Sequence, residues 1–318
     1  MIEFLKTGPE GTQRIDAPES GCWINVVAPT EDEKTWLREK AGIVEEFVRS
    51  ALDDEESSHI DYDDDTEQVL VIVDCPAVED AAVAEDPAIT QYDTQPLAVL
   101  LLPEHGMVVT VSLFPNDSID ALASGRVKQM DTRRRTRFLL QLLLHISQRF
   151  LVYLRNISKQ FTKTERHLRK SMRNLELIKM LGLEKSLLYF STSLKADEAT
   201  LLKIKSGRAV RLFEEDQELL DDVFIEINQA IEMNTITTNI LTRTMEAYGN
   251  VISNNLNNVM RTLTIITVVL AVPTIVFSFY GMNVEVLPLV STWVWPMLIA
   301  VLGSLATAIV IVKTKMFK

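Results

Sequence analysis

The chain has 318 residues, 47% of them hydrophobic and 24% charged, so it is not disordered throughout and is long enough for two domains. Its formal net charge of −12 disfavours nucleic acid as a partner and favours cations. Its two cysteines, Cys22 and Cys75, are too few for a disulfide framework or a four-ligand zinc site. The first ten residues do not resemble a signal peptide, which predicts a cytosolic amino terminus.

Residues 1–130 are predicted to form a cytosolic α/β domain. Short apolar runs rich in β-branched residues indicate strands, and the helical pattern is found in residues 31–40 and 44–52. The runs are CWINVVA, QVLVIVDC, LAVLLL and MVVTVSLF. The domain has no glycine-rich phosphate-binding loop.

An acidic segment, DDEESSHIDYDDDTE at residues 53–67, allows two interpretations. It is either a solvated acidic loop or a site for divalent cations, although it lacks the spacing and the glycine of a calcium-binding loop. The four histidines, His59, His105, His145 and His167, match no catalytic or metal-binding spacing. We therefore expect no enzyme activity, no catalytic residues and no bound cofactor.

Residues 131–212 are predicted to form two long antiparallel helices. The first extends over about residues 132–181 and ends at Gly182, and the second covers about residues 184–205 and ends near Gly207. The basic run at residues 133–137 either contacts phosphate or pairs with acidic residues inside a folded assembly, and the second interpretation is the commoner situation.

Residues 213–261 are predicted to be the cytosolic part of a stalk helix that continues into the membrane. Apolar residues recur at steps of three and four, and the one helix would be about 65 residues long. Its lower part is crowded with asparagines, a poor helix-forming residue. The stretch is either a solvated stalk or an uncharged hydrophilic throat.

Two membrane spans are predicted at the carboxyl end, at residues 262–281 and 294–312. Between positions 262 and 312 the only charged side chain is Glu285, and each run matches a hydrocarbon core of about 30 Å. Residues 282–293 form the outer loop, and residues 313–318 form a basic tail. By the positive-inside rule, both termini are cytoplasmic in a multi-pass protein of the plasma (inner) membrane.

One stripe of the first span combines hydroxyl, small and apolar residues. Its members follow steps of three and four, and they are Asn257, Met260, Thr264, Thr267, Ala271, Thr274 and Ser278. The stripe suits a pore lining, although Ser and Thr also serve ordinary packing between membrane helices. Because two spans cannot enclose a water-filled path, transport would require an oligomer with a shared pore.

The segment Tyr280-Gly281-Met282-Asn283 lies at the outer end of the penultimate span, before a short loop, a final span and a basic tail. This arrangement resembles the signature of the CorA family of divalent cation transporters. The stretch NNVMRTLTIITVVLAVPTIVFSFYGMN also resembles the pore helix of that family. The likeness covers the whole chain in architecture and mainly the last 65 or so residues in sequence.

The resemblance implies an α+β membrane protein that forms a funnel-shaped homopentamer, with the first span of each subunit lining the pore. A selectivity filter of Gly281, Met282 and Asn283 would bind hydrated Mg²⁺, a cation that loses its water reluctantly. Tyr280 and Glu285 would lie at the outer mouth. The implied pore lining and gate comprise Asn257, Met260, Leu263, Thr264, Thr267, Ala271 and Thr274.

The resemblance also implies that Asp222 senses metal between subunits, so that Mg²⁺ is both substrate and regulator. Two departures weaken particular parts of the likeness. Glu285 is the single acid of the outer loop, and Ala271 occupies a position where a bulkier gate residue is expected. The leading interpretation is an ion channel or transporter for Mg²⁺ that also admits Co²⁺ or Ni²⁺, with lipid and divalent cations as partners. The alternatives are a Zn²⁺ transporter of the same fold and a membrane-tethered helical scaffold or sensor.

Overall fold

The computed structural model describes residues 1–8, 11–79, 91–125, 127, 130–171, 174–282 and 293–313. They fall into two compact units, Met1–Arg243 and Thr244–Lys318. The predicted domain ranges remain predictions.

A mixed seven-stranded sheet organises the first unit. The strands are β1 (Ile2–Gly8), β2 (Gly11–Ile15), β3 (Trp23–Val27), β4 (His59–Tyr62), β5 (Val69–Val78), β6 (Tyr92–Leu102) and β7 (Met107–Ser112). Their order is β2-β1-β3-β7-β6-β5-β4, in which β3 and β7 pair in parallel and the other neighbours pair antiparallel. Every residue of β7 is buried, as expected for a strand covered on both faces of a sheet.

Helices cover both faces of the sheet. On one face, Ile24 packs in a core with Leu37 and Phe47 from α1 (Glu31–Glu39) and α2 (Glu45–Ser50). On the other face, Trp23 stacks on Phe138 with ring centroids 5.1 Å apart. The two predicted helices and the four predicted strands of this region are thus present. The sequence pattern missed β1, β2, β4 and α3 (Asp117–Ala123).

The long helices are α4 (Arg135–Ser171) and α5 (Asn174–Lys205). They are antiparallel, since Phe150 meets Phe190 at 5.1 Å and His167 lies 4.0 Å from Glu176. The predicted break at Gly182 is wrong, because Gly182 is a buried residue inside α5. A glycine in a helix costs only about 1 kcal/mol relative to alanine, and packing of the buried neighbours outweighs this cost.

A buried line of polar side chains joins α5 to the sheet. Ser186 accepts from the backbone N–H of Tyr92 at 2.9 Å, and Asp197 accepts from the N–H of Asp74 at 2.9 Å. Burial, reinforced by the charge of Asp74, raises the pKa of the Asp197 carboxyl well above its ordinary value. The sheet backbone therefore positions α5 through specific polar contacts as well as apolar packing.

The acidic segment at residues 53–67 is partly regular structure, because β4 lies inside it. The remainder makes local contacts, such as the hydrogen bond from the N–H of Thr66 to Asp63 at 2.8 Å. Among the described residues, no group of three or more His, Cys, Asp or Glu side chains could hold a metal ion. Residues 59–62 therefore depart from the loop interpretation by forming a strand, whereas residues 53–58 and 63–67 form turns and irregular backbone.

The prediction of one long continuous helix is confirmed by α6 (Gln217–Tyr280), which is preceded by a short 3-10 helix at Glu214–Asp216. The last helix is α7 (Val294–Lys313). In the described part of the chain, α6 and α7 are the two helices long and apolar enough to cross a membrane. Pro273 lies inside α6 without ending it.

Candidate functional site

The membrane-spanning part of α6 has one face that is partly buried within the second unit. The residues of this face recur at steps of three and four, and they are Ile265, Val269, Val272, Val276 and Tyr280. Val272 contacts α7, since a Cβ built on Gly303 would lie 2.9 Å from its Cγ1. This face therefore packs on the second span.

The predicted pore stripe lies on the opposite face of α6. All seven of its residues are exposed in the single chain, from Asn257 to Ser278. At about 100° per residue, its centre is about 150° around the helix from the face packed on α7. The Ser and Thr residues of the stripe therefore do not serve packing between the two spans of one chain.

The threonines of the stripe share one hydrogen-bonding pattern. The hydroxyls of Thr264, Thr267 and Thr274 donate to the carbonyls four residues earlier, at 2.8 Å, 2.9 Å and 3.0 Å. Because a hydroxyl has one hydrogen, each oxygen then remains available only as an acceptor. Such oxygens can receive hydrogen bonds from the water molecules around a cation.

The predicted gate residues Met260 and Leu263 are also exposed, with relative solvent accessibilities of 53% and 56%. Apolar side chains at this level can close a narrow path by excluding water. Ala271 is exposed on the same stripe but presents only a methyl group. A closure built at Ala271 would be wider than one at Met260.

The signature segment begins directly after the helix. The N–H of Gly281 donates to the carbonyl of Phe277 at 2.9 Å, and both Gly281 and Met282 are exposed. A Cβ on Gly281 would lie 3.1 Å from that carbonyl oxygen, which explains the small residue at the turn. Tyr280 ends α6 and is partly buried. Asn283 and Glu285 lie outside the described residues.

Asp222 is an exposed residue of α6 in the first unit. Its neighbour Asp221 lies 3.6 Å from Lys205, whereas no partner of Asp222 is found in the described part of the chain. Asp222 and the pore stripe belong to different units. A metal at Asp222 would need ligands beyond the described residues, because these contain no group of three or more His, Cys, Asp or Glu side chains that could hold one.

The sequence pattern missed the face of α7 that receives α6. Between positions 300 and 308 its partly or fully buried residues are small, and they are Ala300, Gly303, Ser304, Thr307 and Ala308. Small residues at steps of three and four let two membrane helices approach closely. That spacing was visible in the sequence and would have identified the face.

Comparisons with known proteins identify the family of the chain. Residues 18–315 match the family described as CorA-like Mg²⁺ transporter protein. The cobalt/magnesium transport protein CorA of Methanocaldococcus jannaschii is 26% identical over 276 residues, which cover 84% of this chain and 81% of the relative.

Solved structures show the same fold. The complete structure of the CorA magnesium transporter from Methanocaldococcus jannaschii has a TM-score of 0.79 at 21% identity and covers 99% of this chain and 96% of that chain. The ZntB cytoplasmic domain from Vibrio parahaemolyticus has a TM-score of 0.60 at 12% identity and covers 79% of this chain and 98% of that domain. With its two apolar carboxyl-terminal helices, the chain is a membrane protein that belongs to the family of CorA-like Mg²⁺ transporters.

Proposed function

We propose that this chain forms a homopentameric channel that conducts Mg²⁺, and also Co²⁺ or Ni²⁺, across the plasma (inner) membrane with both termini in the cytoplasm. The observation that carries the proposal is the uncharged stripe on α6, which is exposed and faces away from α7. Five copies around an axis would bring five such stripes together around one water-filled path.

The proposed path binds a hydrated ion instead of stripping its water. Mg²⁺ holds its water shell strongly, so acceptor oxygens that receive hydrogen bonds from that shell lower the cost of entry. The hydroxyl oxygens of Thr264, Thr267 and Thr274 are oriented as acceptors by their bonds to the helix backbone. Gly281, Met282 and Asn283 form the filter in this proposal, with Tyr280 and Glu285 at the mouth, Asn257 as a polar ring, and Met260 and Leu263 as the gate.

The driving force for flux is the electrochemical gradient. An inside-negative potential contributes about 4.6 kcal/mol per 100 mV to entry of a divalent ion, twice the value for a single charge. The family relationship and the cobalt and magnesium named for the Methanocaldococcus jannaschii relative support these ions as substrates. Both sources describe transporters, which argues against an enzyme.

The decisive experiment is flux into liposomes that contain the purified protein and trapped indicators for Mg²⁺ and Zn²⁺. We expect Mg²⁺ entry that Asn283→Ala abolishes and that Asn228→Ala, at an exposed cytosolic position of α6, leaves unchanged. Zn²⁺ entry without Mg²⁺ entry would replace this proposal with a zinc transporter. Absence of both fluxes from a monomeric or dimeric protein would instead favour a membrane tether.

Cysteine substitution tests the stripe itself. A charged thiol reagent added from the aqueous side is expected to block flux through Thr267→Cys, because that position would line water. The matched control is Ile266→Cys, at the preceding position, which is exposed in the single chain but lies off the stripe. Equal block of the two variants would contradict the assignment of the pore-lining face.

Asp222 is proposed to bind regulatory Mg²⁺ together with residues of a neighbouring copy, which holds the channel closed at high cytosolic Mg²⁺. Its exposure and its lack of a partner among the described residues support this role. Asp222→Ala is expected to remove both inhibition by Mg²⁺ and protection from protease by Mg²⁺. Asp221→Ala is the matched control, because that carboxylate already pairs with Lys205.

A further inference from the structure

A cavity of about 670 Å³ in the first unit is lined by arginines. It lies where the amino-terminal end of α4 meets the loop after α5 and the ends of β4, β5 and β6. Six arginines line it, and they are Arg133, Arg134, Arg135, Arg137, Arg208 and Arg211. Such a concentration of positive charge is opposite in sign to the net charge of the chain.

Carboxylates neutralise only part of this cluster. Arg133 pairs with Asp131 at 2.9 Å, Arg134 pairs with Glu215 at 2.8 Å, and Arg137 lies 3.7 Å from Asp216. Glu67 is a further acid of the lining. Six arginines against these four acids leave an excess of two positive charges around the cavity.

The remaining arginines have no acidic partner among the described residues. Arg135 donates to the carbonyl of Leu102 at 2.8 Å, and the guanidinium of Arg211 lies 5.4 Å from the ring centroid of Phe213, as in a cation–π pair. No partner of Arg208 is found among the described residues. Arg135 is partly buried, and burial lowers its pKa. A partly buried cation without a carboxylate is costly unless an anion approaches it.

The end of α4 adds a second, independent attraction for an anion. The amino-terminal end of a helix carries partial positive charge and normally attracts acidic side chains. The first turn of α4 has no acidic residue and instead contains Arg135 and Arg137. The dipole of this 37-residue helix and the guanidinium groups thus act in the same direction.

The size of the cavity and its aromatic edge indicate the class of ligand. A volume of about 670 Å³ lies in the range of sites for drug-sized ligands and far exceeds the space that one phosphate needs. Tyr62 and Phe213 line the same cavity and are 43% and 48% exposed, so their rings are accessible. Aromatic rings of this kind stack on nucleobases.

We propose that this cavity binds a nucleoside polyphosphate, with the phosphates on Arg135, Arg208 and Arg211 and the base against Tyr62 or Phe213. Arginine is suited to this task because its planar fork donates two parallel hydrogen bonds to phosphate oxygens. The site uses side chains in place of a glycine-rich loop, and the proposal includes no hydrolysis. It is independent of the ion path, which lies in the other unit.

Binding is measured by isothermal titration calorimetry on the full-length protein in detergent, in Mg²⁺-free buffer, with ATP, inorganic triphosphate and adenosine as probes. We expect ATP to bind more tightly than triphosphate, and adenosine to bind weakest. Arg208→Gln is expected to weaken ATP binding about tenfold, because it removes a charge-assisted contact. Arg49→Gln, at an exposed arginine far along the chain from the cavity, is expected to have no effect.

Arg208 is exposed, so its substitution preserves the fold, and circular dichroism checks this directly. Replacement of both Tyr62 and Phe213 by alanine is expected to lower the affinity for ATP to that for triphosphate. The proposal is overturned if neither ATP nor triphosphate binds at millimolar concentration, or if Arg208→Gln binds ATP as tightly as Arg49→Gln. If triphosphate binds as tightly as ATP, the base adds no affinity, and the proposed contact of the base with Tyr62 or Phe213 is wrong. These results do not depend on whether the protein conducts Mg²⁺.

Discussion

Substitution of Gly303 by alanine should destabilise the packing of α7 on α6. The added Cβ would lie 2.9 Å from Cγ1 of Val272, whereas carbon atoms pack best at about 3.5–4.0 Å. Val272 cannot easily turn away, because a β-branched side chain in a helix has one strongly preferred rotamer. The helices must therefore separate locally, and overpacking of this kind costs about 1–3 kcal/mol.

The loss is measured by unfolding the purified protein from mild detergent with increasing sodium dodecyl sulfate, followed by far-ultraviolet circular dichroism. Gly249→Ala is the matched control, since it makes the same chemical change in α6 where no atom lies within 4 Å of the new Cβ. There the change should stabilise the helix by about 0.5–1 kcal/mol, because alanine restricts the unfolded chain more than glycine does. The two alanine variants should shift the transition in opposite directions.

A second substitution tests the cause. Val272→Ala removes the methyl groups that the new Cβ would meet, so it should restore part of the stability lost in Gly303→Ala. The coupling between two contacting positions is expected to be about 0.5–3 kcal/mol in a double-mutant cycle. If Gly303→Ala behaves like Gly249→Ala, or if the two changes are simply additive, the close contact between α6 and α7 does not exist.

Three further predictions concern the first unit. Burial raises the pKa of Asp197 above 3.8, so at intermediate pH the folded protein holds a proton on Asp197 that the unfolded chain has lost. The free energy of unfolding should therefore fall as the pH rises from about 4 towards the raised pKa. Asp197→Asn should reduce this slope in thermal unfolding, and an unchanged slope would contradict the assignment. Phe190→Ala should cost about 3–5 kcal/mol in denaturant unfolding because Phe190 is fully buried, whereas the exposed Leu188→Ala should change stability by less than about 0.5 kcal/mol. Thr30→Ala should cost about 1 kcal/mol by removing the capping box with Glu33, and an equal stability of Thr30→Ser and Thr30→Ala would argue against that box.

Much of the secondary structure could be predicted because its signals are local. The strands β3, β5, β6 and β7 are apolar runs rich in β-branched residues, and α6 is a long stretch with helical spacing. Weak local signals explain the errors. The strand β4 is partly exposed and acidic, and α3 has only seven residues. Gly182 is a local helix breaker that tertiary packing keeps inside α5.

For the candidate site too, the sequence predicted some features, and others depended on the tertiary structure. The pattern from Asn257 to Ser278 defined one stripe of a helix from spacing alone, but it did not distinguish a pore lining from a packing face. Burial of Val272 against Gly303 placed α7 on the opposite side and removed the packing interpretation within one chain. The role proposed for Asn283 in the filter rests on the resemblance alone, because Asn283 lies outside the described residues.

The sequence by itself determined the spans, the long helix and the acidic character of the chain, because length, periodicity and charge act along the backbone. Only the tertiary structure decided which residues distant in sequence share a surface. Arg135 and Arg208 are 73 positions apart, yet the antiparallel packing of α4 on α5 brings the two arginines to one cavity. Local sequence patterns do not predict that two such residues are close in space, because their proximity depends on where the chain reverses direction and on which helix and sheet faces pack in the core.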